Sequence, residues 1–180
     1  MNQLFRFGSI LTVICLVATL VLAVTYEITK PKIEQYEKQE EERALLAIMP
    51  QADSFVKKSL DGIDYFESLR GNELIGYCVR VLGSGYSGYI RIIAGVDLNG
   101  VIQGVQILEH TETPGLGSRI SEVRPGEKEP WFTAQFKGKQ GKTVTLKRDI
   151  DAITGATISS RAVTDAVRNA VNDFLAKVNR

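Results

Sequence analysis

The first pattern along the chain is an apolar run. From residue 7 to residue 26 there is no charged side chain and few polar ones, and about 20 such residues in a helix span a bilayer. A cleaved signal peptide calls for a shorter apolar core followed by a small-residue cleavage site, and neither is found, so the pattern predicts a retained membrane anchor. Residues 27–49 change character: Glu34, Glu37, Lys38, Glu40, Glu41, Glu42 and Arg43 alternate with Ile33, Tyr36, Leu45, Leu46 and Ile48. This predicts a solvated helix, with Pro31 at its first turn or at a kink and Pro50 as its stop. As a spacer it would hold the remaining chain at a fixed height above the bilayer.

Beyond Pro50 the pattern turns to strands. Residues 54–57, 63–69 and 74–81 read as strands, with Gly62 and the Gly71-Asn72 pair supplying turns, so hairpins are expected. A second hairpin joins 89–96 to 101–108 through Asp97-Leu98-Asn99-Gly100, in which Asn-Gly is a strong turn signal. The loop Gly83-Ser84-Gly85-Tyr86-Ser87-Gly88 has the spelling of a dinucleotide fingerprint. Such a fingerprint must open a helix, and here a β-branched strand comes next, so the segment reads as a strand-to-strand loop. Pro114-Gly115 ends the strand region. Residues 129–136, with the single tryptophan at 131, read as a short helix or turn whose aromatics close the core. Residues 143–147 read as a last strand leading into Asp149-Ile150-Asp151. Finally Val163, Val167, Ala170, Val171, Phe174 and Val178 recur at helical spacing, with Arg161, Asp165, Arg168, Asn172 and Lys177 between them. Ser159 or Ser160 is placed to cap that helix. The fold class is α+β: an antiparallel sheet packed with helices, preceded by one amino-terminal transmembrane helix.

Composition narrows the chemistry. The chain has 180 residues, 44% of them hydrophobic and 24% charged, with a net charge of +1. Without its anchor it suffices for one domain with a core. The near-neutral balance argues against nucleic acid, which calls for a concentrated basic face. Two cysteines, one of them inside the apolar run, and one histidine are too few for a disulfide framework, a zinc site or an iron–sulfur site, so no metal is expected. An organic cofactor is the better electron carrier for such a chain. Cys78, in mid-strand, reads as a small buried hydrophobe.

The candidate chemistry lies at Asp151-Ala152-Ile153-Thr154-Gly155-Ala156-Thr157, just before the last helix. Small residues there let a ligand approach the backbone, and the first N–H groups of a helix form an anion site. A threonine at that place serves equally as a cap. The run Asp-x-x-Thr-Gly-Ala-Thr resembles the flavinylation motif of the FMN-binding domains in Rnf electron-transport complexes and in the sodium-translocating NADH:quinone reductase. A second signature, Glu112-Thr113-Pro114-Gly115-Leu116-Gly117, resembles the Glu-Thr-Pro-Gly-Leu-Gly loop of the same family. The resemblance implies FMN joined by a phosphoester to Thr157, with Asp151, Thr154, Gly155 and Ala156 as the sequence read by a separate flavin transferase and Ile158 beside them. It also implies that Glu112, Thr113, Leu116 and Gly117 lie near the flavin, and it brings the glycine-rich loop toward the ring. The remaining phosphodiester charge would sit at the positive end of the helix dipole. His110 reads as a strand-end histidine, with proton handling near reduced flavin as the sharper alternative.

The resemblance to the G subunit of Rnf complexes covers nearly the whole chain. It implies a short tail (1–6), a transmembrane helix (7–26), a membrane-proximal helix (27–50) and an FMN-binding domain (51–180). It further implies a redox subunit, not an enzyme by itself, relaying electrons within an ion-translocating ferredoxin:NAD oxidoreductase beside other Rnf subunits. No nucleophile–base arrangement for hydrolysis is apparent. The resemblance places the protein in the bacterial cytoplasmic membrane with its domain on the periplasmic or outer side. Local charges point the other way, since Arg6 precedes the span while Lys30, Lys32 and Lys38 lie beyond it. The C subunit of the sodium-translocating reductase is the runner-up. A membrane-tethered phosphate-binding or structural domain without covalent flavin is the rival from another class.

Overall fold

The computed structural model describes residues 2–178, with side chains from residue 5 onward. The apolar run and the charged run are a single helix, α1 (Asn2–Ile48), with Pro31 inside it. The helix thus runs on without a break through residue 27. Proline removes one i→i−4 bond, and the strong helix formers after it carry the helix onward. The chain divides after Glu40 into two compact units, so the last turns of α1 belong with the sheet. Pro50 does lie just beyond the helix, in a turn.

The second unit is built on a five-stranded meander in the order β1-β2-β3-β4-β5, with every pair antiparallel. The strands are β1 (Ser54–Leu60), β2 (Ile63–Arg70), β3 (Glu73–Ser84), β4 (Tyr89–Asp97) and β5 (Ile102–His110). At the β4–β5 turn, Asp97 Oδ1 accepts the N–H groups of Asn99 and Val101, both at 2.9 Å. This is the local side-chain support that favours Asp at turns.

Both faces of the sheet are covered, and residues two apart sort between them as the pleat requires. Val79, Val81, Ile92, Ala94 and Val96 join the larger core with α3 (Thr157–Val178) and the neighbourhood of the one-turn helix α2 (Trp131–Ala134). Cys78, Ile93 and Phe66 face the other way, onto Ala44, Leu45, Ile48 and Met49 at the end of α1. The approach on that side is close: a Cβ at Gly95 would collide with Ile48 Cγ2. On the α3 side, Phe174 meets Tyr65 and Tyr77 at ring-centroid distances of 4.8 and 5.0 Å.

Two sequence expectations change here. Residues 143–147 form no strand; the chain touches itself through single bridges, Val101 with Gln140 and Leu146 with Ile150. Asp149 accepts both the N–H and the hydroxyl of Thr145, at 2.9 and 3.0 Å, and Lys147 takes φ 70°, so the segment curls instead of extending. Helix α3 begins at Thr157, and Ser159 and Ser160 lie inside its first turn with buried side chains. Neither is a cap.

Candidate functional site

The turn before α3 closes with Ala156 N–H donating to the Ile153 carbonyl at 2.9 Å. Gly155 takes φ 83° in it, a left-handed value that L side chains adopt at a cost. Ala156 is buried in the larger core, so its side chain anchors the turn while Thr154, Gly155, Thr157 and Ile158 are exposed. The first i→i−4 bond of the helix is Ser160 N–H to the Ala156 carbonyl, at 2.9 Å. The N–H groups of Thr157, Ile158 and Ser159 thus precede the helical ladder, at its positive end. Ser160 ties the turn from inside, its hydroxyl accepting the Ile153 N–H at 3.1 Å and donating to the Ala156 carbonyl at 2.9 Å. Asp151 is exposed, and its backbone is bracketed by the Gln135 amide: its N–H donates to Oε1 at 2.8 Å and its carbonyl accepts from Nε2 at 3.3 Å.

The second signature packs against this turn from the side. Glu112 is 5% exposed and Ser159 2%, and the Ser159 hydroxyl donates to Glu112 Oε2 at 2.5 Å. The other oxygen, Oε1, accepts the Ser87 N–H of the glycine-rich loop at 3.1 Å. Two glycines make room for this carboxylate: a Cβ at Gly85 would strike Oε1, and one at Gly117 would strike Oε2 and crowd Ser159 Oγ. Three segments distant in sequence therefore meet at one buried side chain. Thr113 is exposed, with its hydroxyl 3.3 Å from Ser87 Oγ. Leu116 is exposed, and its Cδ2 lies 3.4 Å from where a Gly155 Cβ would stand. Exposed Leu116, near Gly155, and exposed Ile158, next to Thr157 in the chain, thus provide apolar surface at this turn.

His110 faces the 3-10 turn Gly117–Ser121. Its Nε2 lies 2.9 Å from Ser121 Oγ, which donates its own proton to the Ser118 carbonyl at 3.0 Å. The imidazole N–H is then the donor of the pair. His110 Nδ1 is buried without a protein partner among the described residues. Trp131 packs at the edge of the core and carries the Arg124 guanidinium 4.1 Å from its ring centroid. Among the described residues no cluster of His, Cys, Asp or Glu suits a metal. Ser87 and Gln135 carry no signal in the sequence, because their partners lie 25 and 16 residues away.

Residues 85–172 match the family profile of the FMN-binding domain, and residues 1–48 match that of the RnfG N-terminal region. The chain is 33% identical over 176 residues to the G subunit of the proton-translocating ferredoxin:NAD(+) oxidoreductase complex of Clostridium ljungdahlii, covering 94% of this chain and 91% of that protein. It belongs to the RnfG family. Another relative, the G subunit of the Na(+)-translocating ferredoxin:NAD(+) oxidoreductase complex of Acetobacterium woodii, is 31% identical over 196 residues, with 94% and 91% covered. Among solved structures, the fold is similar to the C subunit of the Na(+)-translocating NADH-quinone reductase of Parabacteroides distasonis, with a TM-score of 0.54 and 25% identity. That match covers 66% of this chain and 63% of the other. In this RnfG family member, the FMN-binding profile opens at Gly85, beside Glu112, and takes in the Glu112–Gly117 loop, the Thr157 turn and most of α3.

Proposed function

We propose that this protein is the membrane-anchored flavoprotein subunit of an ion-translocating ferredoxin:NAD oxidoreductase complex, relaying electrons through FMN bonded covalently to Thr157. The observation that carries the reading is an exposed threonine at the first position of a 22-residue helix, inside an FMN-binding domain. A phosphodiester at that hydroxyl would keep one negative charge beside N–H groups that no helical carbonyl uses. Leu116 and Ile158 fit an aromatic ring, and Thr113 offers a hydroxyl to polar groups of the cofactor. When bound, FMN supplies the one-electron redox chemistry; the chain holds and orients it. Asp151, Thr154, Gly155 and Ala156 form the recognition sequence for a flavin transferase. Attachment needs an activated phosphorus, which the anhydride of a flavin dinucleotide provides. With Thr157 Oγ as the nucleophile, the Oγ–P bond would form as the P–O–P bond breaks, a nucleoside monophosphate would leave, and the hydroxyl proton would pass to a base of the transferase.

Anchoring is supported by α1, which is long and apolar enough to cross a membrane and whose apolar window has no buried residues. The other Rnf subunits are the partners, and the domain faces the periplasmic or outer side. The C subunit of the sodium-translocating reductase is disfavoured by the match of residues 1–48 to the RnfG N-terminal region. Mass spectrometry of the peptide covering residues 149–161, from protein made with the transferase, tests the attachment. FMN mass is expected on Thr157 and absent from Thr157→Ala. Flavin on Ser159 or Ser160, or a persisting bond in folded Thr157→Ala, refutes it.

A further inference from the structure

Ser159 is buried and Thr157 is exposed, and helix geometry links the two facts. Two residues turn a helix by about 200°, so whatever pulls Ser159 inward turns Thr157 outward. What pulls it is Glu112, through the 2.5 Å bond from Ser159 Oγ. Glu112 is itself fixed by the Ser87 N–H at 3.1 Å and by the absence of side chains at Gly85 and Gly117, either of which would displace the carboxylate. Burying a carboxylate costs free energy unless it is hydrogen-bonded. An alanine pair in its place would complete the core without that cost, so packing alone does not explain the arrangement.

We propose that Glu112 and Ser159 are a positioning pair that sets the rotation of the first turn of α3 and so presents the Thr157 hydroxyl for flavin transfer. Glu112 thereby acts on the site through Ser159 and not by touching the flavin. The inference rests on the reading of Thr157 as the attachment residue. Neither member of the pair faces solvent, so a transferase docked on the exposed turn touches Thr154, Thr157 and Ile158 but not the pair. Removing the pair then lowers the rate of transfer within the docked complex and leaves docking itself unchanged.

The experiment uses the full chain in detergent with purified flavin transferase and a flavin dinucleotide, following covalent flavin by in-gel fluorescence and intact mass. For Ser159→Ala and Glu112→Gln we expect kcat for transfer to fall at least tenfold at unchanged KM for the protein. The double variant should be no slower than the slower single one, because both changes break one unit. Fold is read in parallel from the resistance of buried Cys78 to alkylation. Transfer at the wild-type rate overturns the proposal. So does a raised KM with unchanged kcat, which marks the pair as recognition contacts. Loss of Cys78 protection in Ser159→Ala also overturns it, since the hydroxyl would then be merely structural. Failure of the wild-type chain to gain flavin, or gain by Thr157→Ala, instead sinks the attachment reading on which the proposal stands.

Discussion

At the scale of single residues, neighbouring polar side chains in the site do different work because of where they point. Thr157 and Thr113 face water, whereas Ser159 and Ser160 face the core. Thr157→Ala removes no buried contact, so a stability loss of about 1 kcal/mol or less is expected, read as a small shift of the unfolding midpoint. Thr113→Ala should leave covalent FMN in place and shift its absorption or reduction potential; an unchanged spectrum and potential would remove this loop from the flavin's surroundings. Cys78 makes a separate prediction. Burial pushes its thiol up from the ordinary 9.0 to about 11, partly offset by the hydrogen bond with Ser68. The unfolded chain releases that proton earlier than the folded one does, so folding stability is held below pH 9 and falls as pH rises toward 11. Urea titrations across that range should show the loss, and Cys78→Ala should flatten this part of it.

Among elements, the end of α1 is fastened to the sheet by both packing and charge. Arg80 on β3 donates to both oxygens of Glu41, at 2.6 and 2.7 Å. It also reaches Asp64 at 3.4 Å and lies 5.4 Å from the Phe66 ring centroid. Paired bonds of this kind exceed the usual worth of an exposed ion pair. Arg80→Ala should therefore destabilise the domain by about 1–2 kcal/mol, measured by chemical denaturation of the full chain in detergent. A cost near zero would show that Ile48 and Met49 hold the helix by burial alone. On the opposite face, α3 is held by Val163, Val167, Val171 and Phe174. That packing holds the body of α3 on the face of the sheet opposite the end of α1.

For the molecule as a whole, α1 bears on location. A carboxy-terminal tag should be cut by protease added outside intact spheroplasts if the domain is exported. Protection until lysis would favour the local charge count, with Lys30, Lys32 and Lys38 on the inner side. Strand existence was legible from β-branched and aromatic residues in short runs bounded by turn residues. The helical period from Val163 to Val178 was legible too. The extra strand at residues 143–147 was misread, since its β-branched residues serve a curl set by Asp149, and Val144 is buried without pairing in the sheet. Pro31, expected at a first turn or a kink, lies inside α1, because one missing bond costs less than the helix formers around it contribute.

What the sequence determined by itself was local: the apolar span, the meander turns, and the two signatures at Glu112–Gly117 and Asp151–Thr157. Each depends on residues close together in the chain, where spacing and side-chain type suffice. What only the tertiary structure decided was the contact of Glu112 with Ser159, 47 residues away, and with Ser87, 25 residues away. No periodicity encodes such a meeting. It exists because the β4–β5 hairpin brings the end of β5 beside the glycine-rich loop, while α3, packed along the sheet, brings its first turn up against Glu112.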